Sequence, residues 1–131
     1  MTFVDTGAWY ADFVSDDPDH KAARAFLKKN TGRLVTTDHV IGETITLLRV
    51  RGRRARALDA LTRLLSEKVA RIAWVTEADV RGAFAVFQKF ADKEWSFTDC
   101  VSYVVMERLG ISKAFAFDHH FRQFGTVEVV P

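Results

Sequence analysis

Four acidic residues stand where the fold of an α/β protein would bring their side chains together. Asp5 directly follows a short apolar strand at the start of the chain, and Asp118 directly follows another at residues 114–117. Asp99 lies in the first turn of a predicted helix, and Glu43 borders an apolar helical stripe instead of the solvent face. The carboxyl ends of parallel strands meet at one edge of a sheet, where ligands bind. We therefore expect the four carboxylates to form one cluster at that edge.

Such a cluster requires a cation. Two unit charges about 4 Å apart at an effective dielectric constant of about 20 repel by about 4 kcal/mol. Carboxylate oxygens without accompanying cysteine or histidine ligands favour Mg²⁺ or Mn²⁺, ions that also bind substrate phosphates. A divalent ion of this kind activates water and stabilises the charge on a phosphodiester during displacement. The sequence therefore predicts a metal site for the hydrolysis of nucleic acid. It contains no glycine-rich phosphate loop, which argues against a nucleotide-dependent enzyme.

Each acid also has a purely structural interpretation. The two acids that follow strands are suited to capping the helices after them, and Ser96 with Asp99 matches a capping box. Glu43 at the edge of an apolar stripe is costly unless it is paired, and Arg49 is a candidate partner. If these interpretations held for all four residues, the protein would be a non-catalytic binding module.

The pattern of apolar residues alternates between short strands and helices, which is typical of βαβ units. Five strands are predicted, at residues 1–4, 33–37, 71–75, 114–117 and 126–130. Six helices and a short helical turn lie between them, at residues 6–14, 18–30, 38–52, a leucine-bearing segment ending near 65, 76–90, 98–109 and 119–124. We therefore expect one α/β domain over residues 1–131, a three-layer α/β/α sandwich around a mostly parallel sheet of about five strands.

Several side chains carry specific expectations. Asp38 is predicted to cap the third helix, and Thr76 with Asp79 to form a capping box that opens the fifth. The apolar stripe of the fourth helix is predicted from its leucines, which are Leu58, Leu61, Leu64 and Leu65. The tryptophans and phenylalanines are assigned to core packing, with Trp95 in a polar loop as the candidate for exposure.

Four short motifs occur in this order along the chain: F-V-D-T-G-A at 3–8, V-I-G-E ending at Glu43, F-T-D-C at 97–100 and F-D-H-H-F at 117–121. Together they resemble the PIN-domain family and, more narrowly, VapC-type toxins of bacterial toxin-antitoxin pairs. The resemblance implies that Asp5, Glu43, Asp99 and Asp118 form the acidic metal site. It also implies that Thr6 and Thr98 are hydroxyl neighbours of the ligands.

The sequence departs from the family pattern at Gly7, where many members have Ser, so a hydroxyl contact near the metal or phosphate is absent here. Cys100, the only cysteine, replaces a frequent Ala and is assigned to buried packing. His119 and His120 flank Asp118; His119 is the one expected to touch the site, and the resemblance gives His120 a mainly positional role.

An arginine cluster suggests an anionic partner. Arg49, Arg51, Arg53 and Arg54 lie around Gly52 in a chain whose net charge is only +2. They are candidate contacts to RNA phosphates. A solvated surface, or a contact within a toxin-antitoxin complex, explains them equally well.

The leading hypothesis is a Mg²⁺- or Mn²⁺-dependent endoribonuclease toxin. The resemblance adds a homodimer and an inhibitory antitoxin whose C-terminal segment lies over the acidic groove. A PIN-domain nuclease for RNA processing is the enzymatic alternative, and the binding module described above is the other. No leader-like or membrane-spanning apolar run occurs, so a cytoplasmic protein is expected.

Overall fold

Five parallel strands form the centre of the protein in a computed structural model that describes all residues, 1–131. The strands are β1 (Thr2–Val4), β2 (Leu34–Thr37), β3 (Arg71–Ala73), β4 (Lys113–Phe115) and β5 (Glu128–Val130). Each is three or four residues long, so every predicted strand is present but all are shorter than predicted.

Seven helices connect and flank the strands. They are α1 (Thr6–Phe13), α2 (His20–Lys29), α3 (Asp38–Val50), α4 (Arg54–Leu65), α5 (Glu77–Lys89), α6 (Phe97–Leu109) and α7 (His120–Gln123). This arrangement confirms the expected α/β fold with a parallel sheet. No helix is both long enough and apolar enough to cross a lipid bilayer.

The strand order, β3-β2-β1-β4-β5, determines where a site can form. The chain first builds outward from β1 to β3 and then returns to add β4 on the other side of β1. Phe3 of β1 is paired with Ala114 of β4, and Asp5 N–H donates to the Phe115 carbonyl at 3.1 Å. The order of strands therefore reverses between β1 and β4. The carboxyl ends of these two strands form the crevice in which such sheets bind ligands.

Local signals explain where the helices beside this crevice begin and end. The predicted capping box of Thr76 and Asp79 opens α5, and the box of Ser96 and Asp99 opens α6. Gly110 ends α6 in the left-handed conformation at φ 67°, which a glycine adopts without strain.

The predicted Asp38 cap is wrong by one residue. Thr37, at the end of β2, has the extended backbone of a cap, and its hydroxyl accepts from Val40 N–H at 3.0 Å. Asp38 lies inside the first turn, and its carboxylate accepts from Val75 N–H at 2.8 Å. Asp38 therefore ties the start of α3 to the segment after β3.

Two assignments of apolar residues are also wrong. The buried face of α4 consists of Ala57, Ala60 and Leu64, whereas Leu58 is 69% exposed and Leu65 51% exposed. Small side chains on the inner face allow α4 to approach its neighbours. Leu58 and Leu65, two of the four leucines in the predicted stripe, face outward.

The aromatic residues divide differently from the prediction. Trp95 is buried and donates from its indole N–H to Gln123 at 2.7 Å, although its loop is polar. Four aromatic residues assigned to the core are instead exposed, namely Trp74, Phe84, Phe87 and Phe97. Three of these four lie on α5 and α6, which gives the protein an apolar surface outside the core.

Candidate metal centre

Asp5 lies at the junction of β1 and α1, where the end of a buried strand turns into a helix. Its backbone is extended, as in a helix cap, but its side chain makes no capping hydrogen bond. The residue is only 3% exposed. The capping interpretation therefore does not account for this carboxylate, which is buried without the role that a cap would give it.

Asp99 serves both as a cap and as a member of the cluster. Its Oδ2 atom accepts from Ser96 N–H at 2.9 Å, which completes the capping box of α6. The same oxygen lies 2.9 Å from Nδ1 of His120, across 21 residues of sequence. The structural and the functional interpretations of Asp99 are thus compatible, because the cap orients a carboxylate that also faces the crevice.

Asp118 reaches the crevice from the segment after β4. The strand ends at Phe115, so two residues separate it from Asp118, which was expected to follow the strand directly. Its Oδ1 atom accepts from His120 N–H at 3.0 Å and stabilises the turn that begins α7. As with Asp99, a local hydrogen bond from a backbone N–H holds the carboxylate in place.

Three of the four predicted acids are linked through the pKa values of Asp5 and Asp99. Burial raises the pKa of Asp5 well above its ordinary value, and the negative charges of Asp118 and Asp99 raise it further. Burial also raises the pKa of Asp99, as does Asp118, while hydrogen bonds from Ser96 and His120 oppose the shift. Ligand atoms of Asp99, Asp118 and His120 lie within 4.8 Å of one another. We refer to Asp5, Asp99, Asp118 and His120 as the acidic cluster.

Glu43 does not contact the acidic cluster. It is exposed on α3, although the sequence placed it away from the solvent face, and it forms no hydrogen bond or ion pair. The proposed pair with Arg49 does not form either. Neither Asp5 nor Asp99 has Glu43 among the charges that shift its pKa.

Hydroxyl groups lie beside the acidic cluster. Thr6 is buried directly after Asp5, and its Oγ1 atom has no hydrogen-bond partner. Ser102, one turn after Asp99 on α6, also has a buried hydroxyl without a hydrogen-bond partner. Thr98 is half-buried, and its side chain makes no hydrogen bond. A buried polar group without a partner is uncommon, because giving up hydrogen bonds to water without replacing them is unfavourable.

Of the two histidines, the sequence favoured the wrong one for contact with the site. His119 is exposed and makes no hydrogen bond, whereas His120 is bonded to two acids of the cluster. The spacing D-x-H within the short turn that follows β4 is the signal that points to His120. A backbone N–H two residues after an Asp can bond that carboxylate, which brings the ring of the same residue to the crevice.

The arginines around Gly52 are exposed and differ in their contacts. Arg53 forms an ion pair with Asp16 at 2.8 Å, and the guanidinium of Arg51 lies 4.8 Å from the centre of the Tyr10 ring. Arg49 and Arg54 form no ion pair and line one shallow apolar groove between α3 and α4.

The donor set fits a hard divalent cation. Carboxylate oxygens come from three separate segments of the chain, at Asp5, Asp99 and Asp118, with the His120 ring beside them. No thiolate lies among them, since Cys100 is buried in the core. Without a cation, burial and the charges of Asp118 and Asp99 raise the pKa of Asp5 and so disfavour its charged form. A divalent ion is the partner that would allow all the carboxylates to be ionised together.

A comparison with protein families matches the model described as PIN domain to residues 2–127. The 23S rRNA-specific endonuclease VapC20 of Mycobacterium tuberculosis is 38% identical over 132 residues, which span 100% of this chain and 99% of that protein. The VapC ribonuclease of Archaeoglobus fulgidus is 29% identical over 123 residues, 90% of this chain and 77% of that protein.

The likeness extends to the fold. A crystal structure of M. tuberculosis VapC20, described as a sarcin-ricin loop cleaving toxin, aligns with a TM-score of 0.93 at 35% sequence identity. The alignment covers 100% of both chains. The similarity therefore includes every element that contributes to the acidic cluster.

Proposed function

This chain belongs to the PIN-domain family and is a VapC-type endoribonuclease toxin, and from that premise we propose that it hydrolyses RNA with a divalent ion held by Asp5, Asp99 and Asp118. The single observation that carries the site assignment is the convergence of these three acids at the crevice between β1 and β4, with the pKa of Asp5 raised by the other two. Mg²⁺ is the proposed ion, and Mn²⁺ is a substitute with the same ligand preference.

When bound, such an ion supplies an activated water and offsets charge on the phosphate that is attacked. The residues of the chain perform the remaining tasks. In Asp99 and Asp118, the carboxylate oxygens that accept no N–H hydrogen bond are available to bind the ion. Ser96 and His120 hydrogen-bond the remaining oxygens and so fix the orientation of both carboxylates. Thr6, whose hydroxyl is buried and unpartnered, is proposed to bond a ligand or a water at the ion, and Thr98 to do the same from α6.

Glu43 remains among the proposed site residues, although its side chain faces solvent. Its carboxylate is exposed and unpaired on α3, so it is free to turn toward bound substrate. Mg²⁺ usually keeps several of its waters, and an acid beyond direct contact can act through one of them. Glu43→Gln should therefore slow cleavage less than replacement of Asp118 does. Cleavage at the wild-type rate would remove Glu43 from the site.

We propose that the substrate is the sarcin-ricin loop of 23S rRNA, as in the full-length relative from M. tuberculosis. An end-labelled RNA stem-loop with that sequence is incubated with the protein and Mg²⁺, beside a stem-loop of scrambled sequence. A single cut in the first RNA, abolished by EDTA and restored by Mg²⁺, is expected. Cleavage of both RNAs at equal rates would contradict the substrate assignment.

The site assignment is tested on the same RNA with Asp118→Asn. The matched control is Asp59→Asn, which removes an acid on α4 that pairs with Arg63 at the surface. Loss of cleavage in the first variant and wild-type cleavage in the second is expected. If Asp118→Asn still cut at the wild-type rate, the acidic cluster would not be the catalytic site.

The arginine cluster is proposed to bind RNA phosphates. Arg49 and Arg54 are the strongest candidates because they form no ion pair, while Arg51 and Arg53 would first have to leave Tyr10 and Asp16. Removing one arginine that binds a phosphate should lower the slope of log affinity against log salt by about 0.7–0.9. RNA affinity and a salt slope unchanged in the double variant Arg49→Ala, Arg54→Ala would exclude this role.

Two protein partners are proposed. Exposed apolar side chains on α5 and α6, namely Val80, Phe84, Phe87 and Phe97, suit the interface of a homodimer. Phe84→Glu should yield monomers in light scattering, whereas Leu58→Glu on the outer face of α4 should not.

The second partner is an antitoxin whose C-terminal segment covers the acidic groove. A peptide of that C-terminal segment should inhibit cleavage in competition with RNA.

A further inference from the structure

His120 is the only residue that hydrogen-bonds two acids of the cluster at once. Its backbone N–H donates to Oδ1 of Asp118 at 3.0 Å, and its ring Nδ1 lies 2.9 Å from Oδ2 of Asp99. The two acids come from segments about twenty residues apart, so His120 is the link between them. A carboxylate only accepts hydrogen bonds, which makes Nδ1 the donor in the second contact.

These hydrogen bonds select which oxygen of each acid is available. Oδ2 of Asp99 accepts both from Ser96 N–H and from His120, while Oδ1 accepts no hydrogen bond. Oδ1 of Asp118 accepts from His120, while Oδ2 accepts no N–H donor. Each carboxylate is therefore held by one oxygen, and the other oxygen has no N–H donor.

The position of His120 is fixed by the core. The next residue, Phe121, is fully buried, and its ring lies 6.1 Å from that of Phe3 on β1 and 4.7 Å from that of Phe124. The first turn of α7 is thereby attached to the central strand of the sheet. The backbone of His120 is consequently held in place by the packing of its neighbour Phe121.

We propose that His120 is a positioning residue that orients Asp99 and Asp118 so that Asp99 Oδ1 and Asp118 Oδ2 face the divalent ion. This inference rests on the proposed metal-dependent function and adds a specific role to a residue outside the ligand set. Direct ligation by the ring is the competing arrangement, because its ligand atom lies within 4.8 Å of both acids. Ligation through Nδ1 would require loss of the bond to Asp99.

The ring's contribution is separable from the backbone's. His120→Ala keeps the backbone N–H to Asp118 and removes only the bond to Asp99, which remains tethered by Ser96. Loss of a group that orients a metal ligand typically weakens metal affinity by about 10–100-fold. His120→Asn restores a donor near the position of Nδ1. It should therefore recover most of the lost affinity.

The experiment measures Mn²⁺ affinity by calorimetry for the wild type, His120→Ala, His120→Asn and the control His119→Ala. His119 is the matched control because the centre of its ring lies 4.6 Å from that of His120 but it bonds no acid. The expected result is affinity weakened about 10–100-fold in His120→Ala, near wild type in His120→Asn, and unchanged in His119→Ala. Cleavage by His120→Ala should return toward the wild-type rate at saturating Mn²⁺, since the ligands themselves remain.

Three results would overturn the inference. Wild-type Mn²⁺ affinity in His120→Ala would show that the ring does not orient Asp99. Equal loss of affinity in the Asn and Ala variants would show that the donor is not what matters. Directly coordinated nitrogen in the electron spin echo spectrum of bound Mn²⁺ would make His120 a ligand. If the wild type neither bound Mn²⁺ nor cut RNA, the proposed function itself would fail, which is distinct from all three.

Discussion

Replacing Asp5 with Asn should make the metal-free protein more stable at neutral pH while abolishing RNA cleavage. Asp5 is buried, and its pKa is raised by burial and by the charges of Asp118 and Asp99. The acid is therefore unfavourable in the folded protein unless it keeps a proton. Asn has nearly the same shape, carries no charge and can donate a hydrogen bond to a neighbouring carboxylate, as a protonated Asp would.

The magnitude follows from the geometry of the acidic cluster. Ligand atoms of Asp99 and Asp118 lie within 4.8 Å of each other, and two unit charges at that separation repel by about 3.5 kcal/mol at an effective dielectric constant of about 20. This value sets the scale for the repulsion that the charges of Asp118 and Asp99 exert on Asp5. The raised pKa favours the neutral form of Asp5, which avoids part of this repulsion, so the gain should be smaller, about 2 kcal/mol. For a chain of this length that corresponds to a rise in Tm of about 8 °C.

The gain should depend on pH. A carboxyl whose pKa is raised on folding binds a proton more tightly in the folded than in the unfolded chain. Stability due to Asp5 is thus complete below its ordinary pKa of 3.8 and falls as the pH rises toward the raised value. Asn does not titrate. The difference in Tm between Asp5→Asn and the wild type should therefore grow as the pH is raised from about 4 toward 7.

The assay is thermal unfolding in EDTA, followed by circular dichroism at several pH values, with Asp59→Asn as the control. Asp59 is an exposed acid paired with Arg63, and its replacement should change stability by about 0.5 kcal/mol or less. Added Mg²⁺ should raise the Tm of the wild type and leave Asp5→Asn nearly unchanged. A lower Tm for Asp5→Asn at pH 7 in EDTA would refute the claim that the acids repel one another.

Three further predictions concern the elements that carry the site. Thr37→Ala removes the cap of α3 and should lower the free energy of unfolding in urea by about 1 kcal/mol; an unchanged midpoint would contradict that role. Gly110→Ala places a side chain at φ 67° and should cost about 1 kcal/mol in thermal unfolding, and no loss would mean that this strain is absent. Asp79→Ala removes the ion pair with Arg108 and a capping bond, so stability should fall by about 2 kcal/mol at pH 7. Because the pKa of Asp79 is lowered in the folded protein, this contribution is lost progressively as the pH falls below its ordinary 3.8, and a difference that did not shrink between pH 4 and pH 2 would contradict it.

The sequence predicted the fold well because its signals are local and strong. The capping boxes at Thr76 and Ser96 and the glycine at 110 mark helix ends through contacts within four residues. Parallel strands follow from the alternation of strands with helices. The outward-facing residues were harder to predict, since Leu58 and Phe84 are apolar but face solvent on the isolated chain. Periodicity identifies an apolar residue without saying which of two helix faces meets the sheet.

The site was predictable in outline for a similar reason. Asp5 and Asp118 follow strands that are neighbours in the sheet, so topology alone brings them together. Asp99 is positioned by α6, and only its long-range hydrogen bond to His120 shows how its carboxylate is oriented. Glu43 lies on a helix whose rotation decides where it points, and the structure leaves it exposed. Contact of His120, instead of His119, with the acids likewise depends on one turn of backbone that spacing does not specify.

The location of bound Mn²⁺ tests the central claim most directly. Crystals grown with MnCl₂ should give an anomalous difference peak between Asp5, Asp99 and Asp118, about 2.0–2.2 Å from Asp99 Oδ1 and Asp118 Oδ2. Crystals of the Asp99→Asn, Asp118→Asn double variant should lack that peak. A peak elsewhere on the molecule, or no peak at saturating Mn²⁺, would contradict the account of these acids as a metal centre.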